Sequence, residues 1–133
     1  MKKCLFCSVI KNNKPYHEII WQDSKHIAFL DKYPTRNGHI LIIPKKHVDY
    51  LFDLTEKDYT ALLKVARKIA LRLKKLSNAK RIYLFIKGFR IPHAHVHLIP
   101  VRRGKEAGHL PRKKTTVKEL SNIALKLRNL IAE

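Results

Sequence analysis

The stretch His93-Ala94-His95-Val96-His97-Leu98-Ile99-Pro100 decides how the rest of this chain reads. Side chains alternate across a β-strand, so the three histidines share one face and Ala94, Val96 and Leu98 share the other. Neighbouring imidazoles on that face then stand roughly 6–7 Å apart along a rigid backbone. Such a row can hold a metal, take up a proton or attack phosphorus. The apolar residues between the histidines mark a packed strand rather than a surface one with chance histidines. The spacing predicts a strand over 93–100 with a reactive face.

Upstream, Ile82-Tyr83-Leu84-Phe85-Ile86 reads as another strand, joined to the first by a very short connection at Gly88. His39-Ile40-Leu41-Ile42-Ile43 is a buried strand closed by Pro44. Ile19-Ile20-Trp21 and Ile27-Ala28-Phe29-Leu30 are two more, linked by the turn-like Gln22-Asp23-Ser24-Lys25, and Asn37-Gly38 is a strong turn signal. Thr55 and Asp58 form an N-cap pattern for a helix whose apolar residues Tyr59, Leu62, Ala66, Ile69, Leu73 and Leu76 run down to Ser77-Asn78. A last helix begins after Thr116, with Glu119 three residues on and Val117, Leu120, Ala124, Leu127 and Ile131 along one stripe. Five short strands and two helices, with strand-to-strand turns dominating the first half, predict an α+β domain on one mainly antiparallel sheet.

The chain has 133 residues, 45% of them apolar, which suits a single globular domain over 1–133. No apolar run approaches the ~20 residues of a membrane span, and no long apolar core follows the basic N-terminus. A cytoplasmic protein is expected. The formal charge is +19 and unevenly placed: residues 1–58 hold ten Lys/Arg against seven Asp/Glu, residues 59–133 nineteen against three. Lys64, Lys68, Arg72 and Lys75 form a basic stripe on the first long helix, and residues 102–114 are basic and irregular. A field of that sign attracts phosphates, from nucleotides to nucleic acid, although a lysine-rich proteome accounts for it equally well. The two cysteines are spaced Cys4-x-x-Cys7, which in a cytosolic chain suggests metal binding or redox chemistry. No βαβ context supports the redox reading, so metal is favoured.

The histidine run, together with Gly38-His39-Ile40-Leu41-Ile42-Ile43-Pro44-Lys45-Lys46-His47, Ala28-Phe29-Leu30-Asp31 and Cys4-Leu5-Phe6-Cys7, resembles the histidine-triad (HIT) family of nucleotide hydrolases and transferases, in its zinc-containing branch. The resemblance covers about residues 4–102 and implies a HIT-like fold. It implies His95 as a nucleophile toward the α-phosphorus of a purine nucleotide, giving a nucleotidyl-histidine that water or another acceptor resolves. It leaves His97 to hydrogen-bond a phosphate oxygen or steady the neighbouring imidazole, and places His39 as an orienting residue, Asp31 on the ribose hydroxyls, and Leu30 and Phe6 at the base, with core packing an equal alternative for the last two. The structural Zn²⁺ site implied is Cys4, Cys7, His47 and His93, and a homodimer is implied through residues 55–78 and 82–86.

Where the family carries a Gly-Gln-x-Val type run, this chain has Gly88-Phe89-Arg90-Ile91-Pro92, with Arg90 either a substitute donor to phosphate or one more solvated arginine. The resulting expectation is a hydrolase or transferase of nucleoside phosphoramidates or dinucleoside polyphosphates. Two alternatives stand beside it: a nucleotide-binding protein with little catalysis, and aprataxin-like removal of adenylate from nucleic acid ends.

Overall fold

Five strands form one sheet in the order β1-β2-β3-β5-β4, every neighbouring pair antiparallel. The computed structural model describes residues 4–11, 18–103 and 115–131. Most of the basic stretch 102–114 lies outside them. The strands are β1 (Ile19–Gln22), β2 (His26–Leu30), β3 (Ile40–Pro44), β4 (Arg81–Phe85) and β5 (Val96–Val101). Among the described residues three α-helices accompany them, α1 (Leu5–Ile10), α2 (Glu56–Ser77) and α3 (Val117–Ile131), with a short 3-10 turn at Leu51–Asp53.

The two long helices start and stop where their side chains say. The Thr55 hydroxyl accepts the Asp58 amide at 3.1 Å, satisfying one of the orphan donors of the first turn of α2. The helix ends at Asn78, which takes the left-handed conformation with φ 54°. At α3 the Thr116 hydroxyl accepts the Glu119 amide at 3.1 Å. Leu62, Ala66, Ile69 and Leu73 of α2 and Leu120, Ala124, Leu127 and Ile131 of α3 pack against one face of the sheet. Leu76, read from the sequence as part of the apolar stripe, is 37% exposed.

The sheet has two differently used faces. Ala28, Leu30, Ile40, Ile42, Val96 and Leu98 point to the helices. Ile27, Phe29, Leu41 and Ile43 point the other way, where Phe6 and Val9 of α1 cover them. Burying those two side chains stabilises the attachment of α1 by roughly 1.5–3 kcal/mol each. The sequence reading had no helix here. It is too short for periodicity to reveal, and the Cys4 thiol stands in as its cap, accepting the Cys7 amide at 3.4 Å.

The expected strand over 93–100 is shorter than its alternation suggests, since β5 begins only at Val96. Its partner β3 pairs Ile40 with Leu98 and Ile42 with Val96, so the next rung would set Ala94 against Pro44, which has no N–H to give. The ladder stops there. The Ala94 amide turns instead to the Val48 carbonyl at 2.6 Å, and that of His93 to Ile91 at 2.8 Å. The alternation itself survives, because Ala94 still joins the helix-side core while His93 and His95 lie beside Phe6.

Candidate functional site

The turn Arg36-Asn37-Gly38-His39 brings the start of β3 to the histidine run. Gly38 has φ +90°, the His39 amide donates to the Arg36 carbonyl at 3.1 Å, and a Cβ at Gly38 would stand 3.2 Å from Leu73 Cδ1. Glycine suits both the backbone angle and the space. His39 is thereby held in the sheet with its Nε2 2.9 Å from His97 Nδ1. Asp31, one residue past β2, places Oδ2 3.5 Å from the same His39 nitrogen. The Thr35 amide donates to His39 Nδ1 at 3.1 Å. Asp31, His39 and His97 are all buried.

His95 lies between this group and α1. Its Nδ1 is 2.6 Å from the carbonyl oxygen of His93, an acceptor only, so Nδ1 carries the proton and Nε2 the lone pair. Its ring centroid is 5.0 Å from those of His97 and Phe6. Burial holds the imidazole below its ordinary pKa, opposed by the His93 carbonyl and the charge of Asp31. At neutral pH it is an uncharged imidazole with a fixed tautomer, the form in which histidine is a nucleophile.

On the other side of His95 four soft or borderline donors converge. His93 Nδ1 is 3.4 Å from Cys4 Sγ, 3.5 Å from Cys7 Sγ and 3.3 Å from His47 Nδ1, and His47 Nδ1 is 3.2 Å from Cys7 Sγ. All four ligand atoms lie within 4.8 Å of one another. Two thiols and two imidazoles are a donor set suited to tetrahedral Zn²⁺. His93 is prepared for that role. Its Nε2 is 2.8 Å from the Pro44 carbonyl, which fixes the proton there and turns the Nδ1 lone pair toward the cysteines. Burial, together with the adjoining Cys4 thiol, pushes the Cys7 pKa up, the condition of two crowded thiols that a divalent cation reverses.

The other residues singled out in the sequence are distributed unevenly. Phe6 is buried and edge-on to Phe29 at 5.3 Å, on the histidine side. Leu30 is not there. It is 2% exposed inside the core beneath α2 and α3, because the period of two that aims Asp31 and Phe29 at the histidines aims Leu30 away. Phe29 takes that side instead, fully buried against Phe6, a placement that the same alternation would have found. Thr35 was missed; its contribution is a backbone amide, which no residue type announces. Arg90 is exposed in the connection before His93 and makes no hydrogen bond to any described residue, beside a Phe89 that is 98% exposed. Lys64, Lys68 and Lys75 are exposed and Arg72 half-buried, with Lys68 Nζ 4.9 Å above the Trp21 ring. Among the described residues no helix is long and apolar enough to cross a membrane.

The sequence profile of the HIT domain matches residues 12–104. An uncharacterized HIT-like protein of Mesomycoplasma hyorhinis is 39% identical over 101 residues, spanning 72% of this chain and 90% of that protein. An adenosine 5′-monophosphoramidase of Saccharomyces cerevisiae is 36% identical over 103 residues, 77% of this chain and 65% of that one. Among solved structures, a hypothetical histidine triad nucleotide-binding protein of Sulfolobus tokodaii superposes with a TM-score of 0.85 at 31% identity, over 97% of this chain and 92% of that one. A zinc-bound histidine triad family protein of Mycobacterium smegmatis gives 0.82 at 25% identity, over 98% and 94%.

Proposed function

This chain belongs to the HIT family and has the HIT-like fold, and from that premise we propose that it cleaves nucleoside phosphoramidates or dinucleoside polyphosphates at the α-phosphate through a nucleotidyl-histidine. The observation that carries the reading is His95: buried, uncharged, and held by the His93 carbonyl at 2.6 Å with its Nε2 lone pair available. In the first step that lone pair attacks phosphorus, a P–N bond forms, and the leaving group departs with the electron pair of its broken bond and takes up a proton from solvent. In the second, water attacks the same phosphorus and gives a proton to solvent, and the electron pair of the broken P–N bond returns to His95 Nε2. His97 lies alongside to hydrogen-bond the phosphoryl oxygens, and the Asp31 carboxylate accepts the ribose hydroxyls. Phe6, its ring 5.0 Å from that of His95 and backed by the buried Phe29, is assigned to the base. Arg90, in the connection leading to His93, is assigned to the leaving group's phosphates.

Cys4, Cys7, His47 and His93 are the residues that would hold zinc, and what the ion supplies there is a cross-link between α1, the end of β3 and the histidine run. The similarity to a zinc-bound relative supports that assignment. The same proposal includes a homodimer through α2 and the edge strand β4, whose Leu84 and Leu71 are 45% and 55% exposed. A cytoplasmic location remains part of the proposal.

Intact-mass measurement after brief incubation with adenosine phosphoramidate tests the chemistry. An adenylyl adduct on the wild-type chain, absent from His95→Ala, is the expected outcome. Equal turnover by His95→Ala would exclude the mechanism. A wild-type protein that binds nucleotide without adduct or turnover would favour the binding-protein reading.

A further inference from the structure

His39 and His97 face each other across 2.9 Å, nitrogen to nitrogen, and the distance alone does not say which of them donates. The answer comes from a third group. The Thr35 amide is a donor and nothing else, and it lies 3.1 Å from His39 Nδ1. That nitrogen must therefore accept, and a neutral imidazole that accepts at Nδ1 carries its proton at Nε2. His39 Nε2 is then the donor and His97 Nδ1 the acceptor. By the same rule His97 carries its own proton at Nε2.

We propose that the backbone amide of Thr35 sets the tautomers of both His39 and His97, making Thr35 a positioning residue that delivers an N–H, rather than a lone pair, at His97 Nε2. The histidine run then alternates between two tautomers, Nε2–H at His93 and His97 and Nδ1–H at His95, each traced to a backbone group. His93 gives Nε2–H to the Pro44 carbonyl and turns its Nδ1 lone pair to the thiols. His95 gives Nδ1–H to the His93 carbonyl and offers a lone pair at Nε2. His97 accepts at Nδ1 and donates at Nε2. A nucleophile beside a donor is the arrangement that attack on a phosphoryl group needs, since charge accumulates on its oxygens. Two adjacent lone pairs would repel them. Asp31 Oδ2, 3.5 Å from His39 Nε2, favours the same proton position. The hydroxyl of Thr35 takes no part: the residue is 7% exposed, yet Oγ1 has no hydrogen-bond partner among the described residues. The amide is the group that matters.

Long-range ¹H–¹⁵N NMR of the imidazoles reads the tautomers directly. The wild-type protein should show both His39 and His97 as Nε2–H. Thr35→Val keeps the amide and should keep both tautomers. Thr35→Pro removes the amide and should release His39 into a mixture. Because a proline there can disturb the loop, His39→Leu is the second variant: His97 should lose its preference for Nε2–H. His39→Gln, whose side-chain N–H replaces the lost donor, should restore it. The kinetic arm rests on the nucleotidyl-histidine reading: His39→Leu should lower kcat for adenosine phosphoramidate by roughly 10–100-fold with little change in KM, and His39→Gln should recover most of it. Failure of the wild type to turn over nucleotide would count against that reading, while the NMR result would still decide the tautomers. A wild-type His97 protonated at Nδ1, or a His97 tautomer unmoved in His39→Leu, would overturn the proposal.

Discussion

Two groups of metal-capable side chains lie on the same face of this sheet, Cys4, Cys7, His47 and His93 on one side of His95 and Asp31, His39 and His97 on the other, each with its ligand atoms within 4.8 Å of one another. By distance they are equivalent. What separates them is how the far nitrogen of each imidazole is used. In the first group a carbonyl takes the proton of His93 at Nε2, so that the cluster receives a lone pair. In the second a backbone amide occupies the lone pair of His39 at Nδ1, so that the cluster receives a proton. A proton between His39 and His97 occupies the position a cation would need. In the proposed reading one cluster suits an ion and the other a hydrogen-bond relay, and proximity of ligand atoms does not distinguish them.

The residue between the clusters should show the largest effect. His95→Ala is expected to lower kcat by at least about 10³-fold with nucleotide affinity nearly unchanged, because its lone pair acts mainly in the transition state. Steady-state kinetics beside calorimetric binding measure both quantities.

Next in size are the cysteines. Elemental analysis should find about one zinc per chain and not two. Cys4→Ser or His47→Ala should lose the ion and lower the melting temperature markedly, a loss of several kcal/mol from a closed site. Two zincs per chain, or none, would collapse the distinction between the clusters.

Asp31→Ala sharpens it from the other side. Zinc content should stay as in the wild type while nucleotide affinity falls by roughly 1–3 kcal/mol, the worth of charge-assisted hydrogen bonds. The smallest effect is a control outside both clusters. Burial raises the Asp23 pKa, but hydrogen bonds from the Lys25 amide and from the His26 ring and amide outweigh it and leave the carboxyl below its ordinary range. A carboxylate depressed in the folded state adds stability above its unfolded pKa and loses it as pH falls through the folded one. The side chain is 40% exposed, so the gain is under about 1 kcal/mol. Melting curves of the wild type and Asp23→Asn should differ slightly near neutrality and converge in acid.

The five strands, the caps at Thr55 and Thr116 and the stop at Asn78 were legible because each rests on local chemistry: alternation, a hydroxyl, a residue tolerant of the left-handed region. The early end of the β5 ladder was not, since it depends on a proline in a partner strand whose register no local pattern specifies. The helix α1 escaped because six residues carry too little periodicity. Within the site, residue types and spacing pointed to the histidine run and the family resemblance to Asp31 and His39, and the structure draws these into one buried face. Leu30, for which the base and the core stood as equal readings, lies in the core, since one residue along a strand reverses the direction of the side chain. The amide of Thr35 and the carbonyls of Pro44 and His93, which set the tautomers, were invisible because every residue but proline owns the same backbone groups.

His93 joins the two halves of this design, since its ring faces the thiols while its carbonyl holds His95. If Cys4, Cys7, His47 and His93 hold zinc as proposed, a chelator would loosen the residue on which His95 leans. Inhibition by chelators would then look like evidence for a catalytic metal, although four protein ligands would leave the ion no open position for substrate. Rate measurements on metal-depleted protein need a parallel reading of the His95 tautomer before they say anything about Lewis acidity.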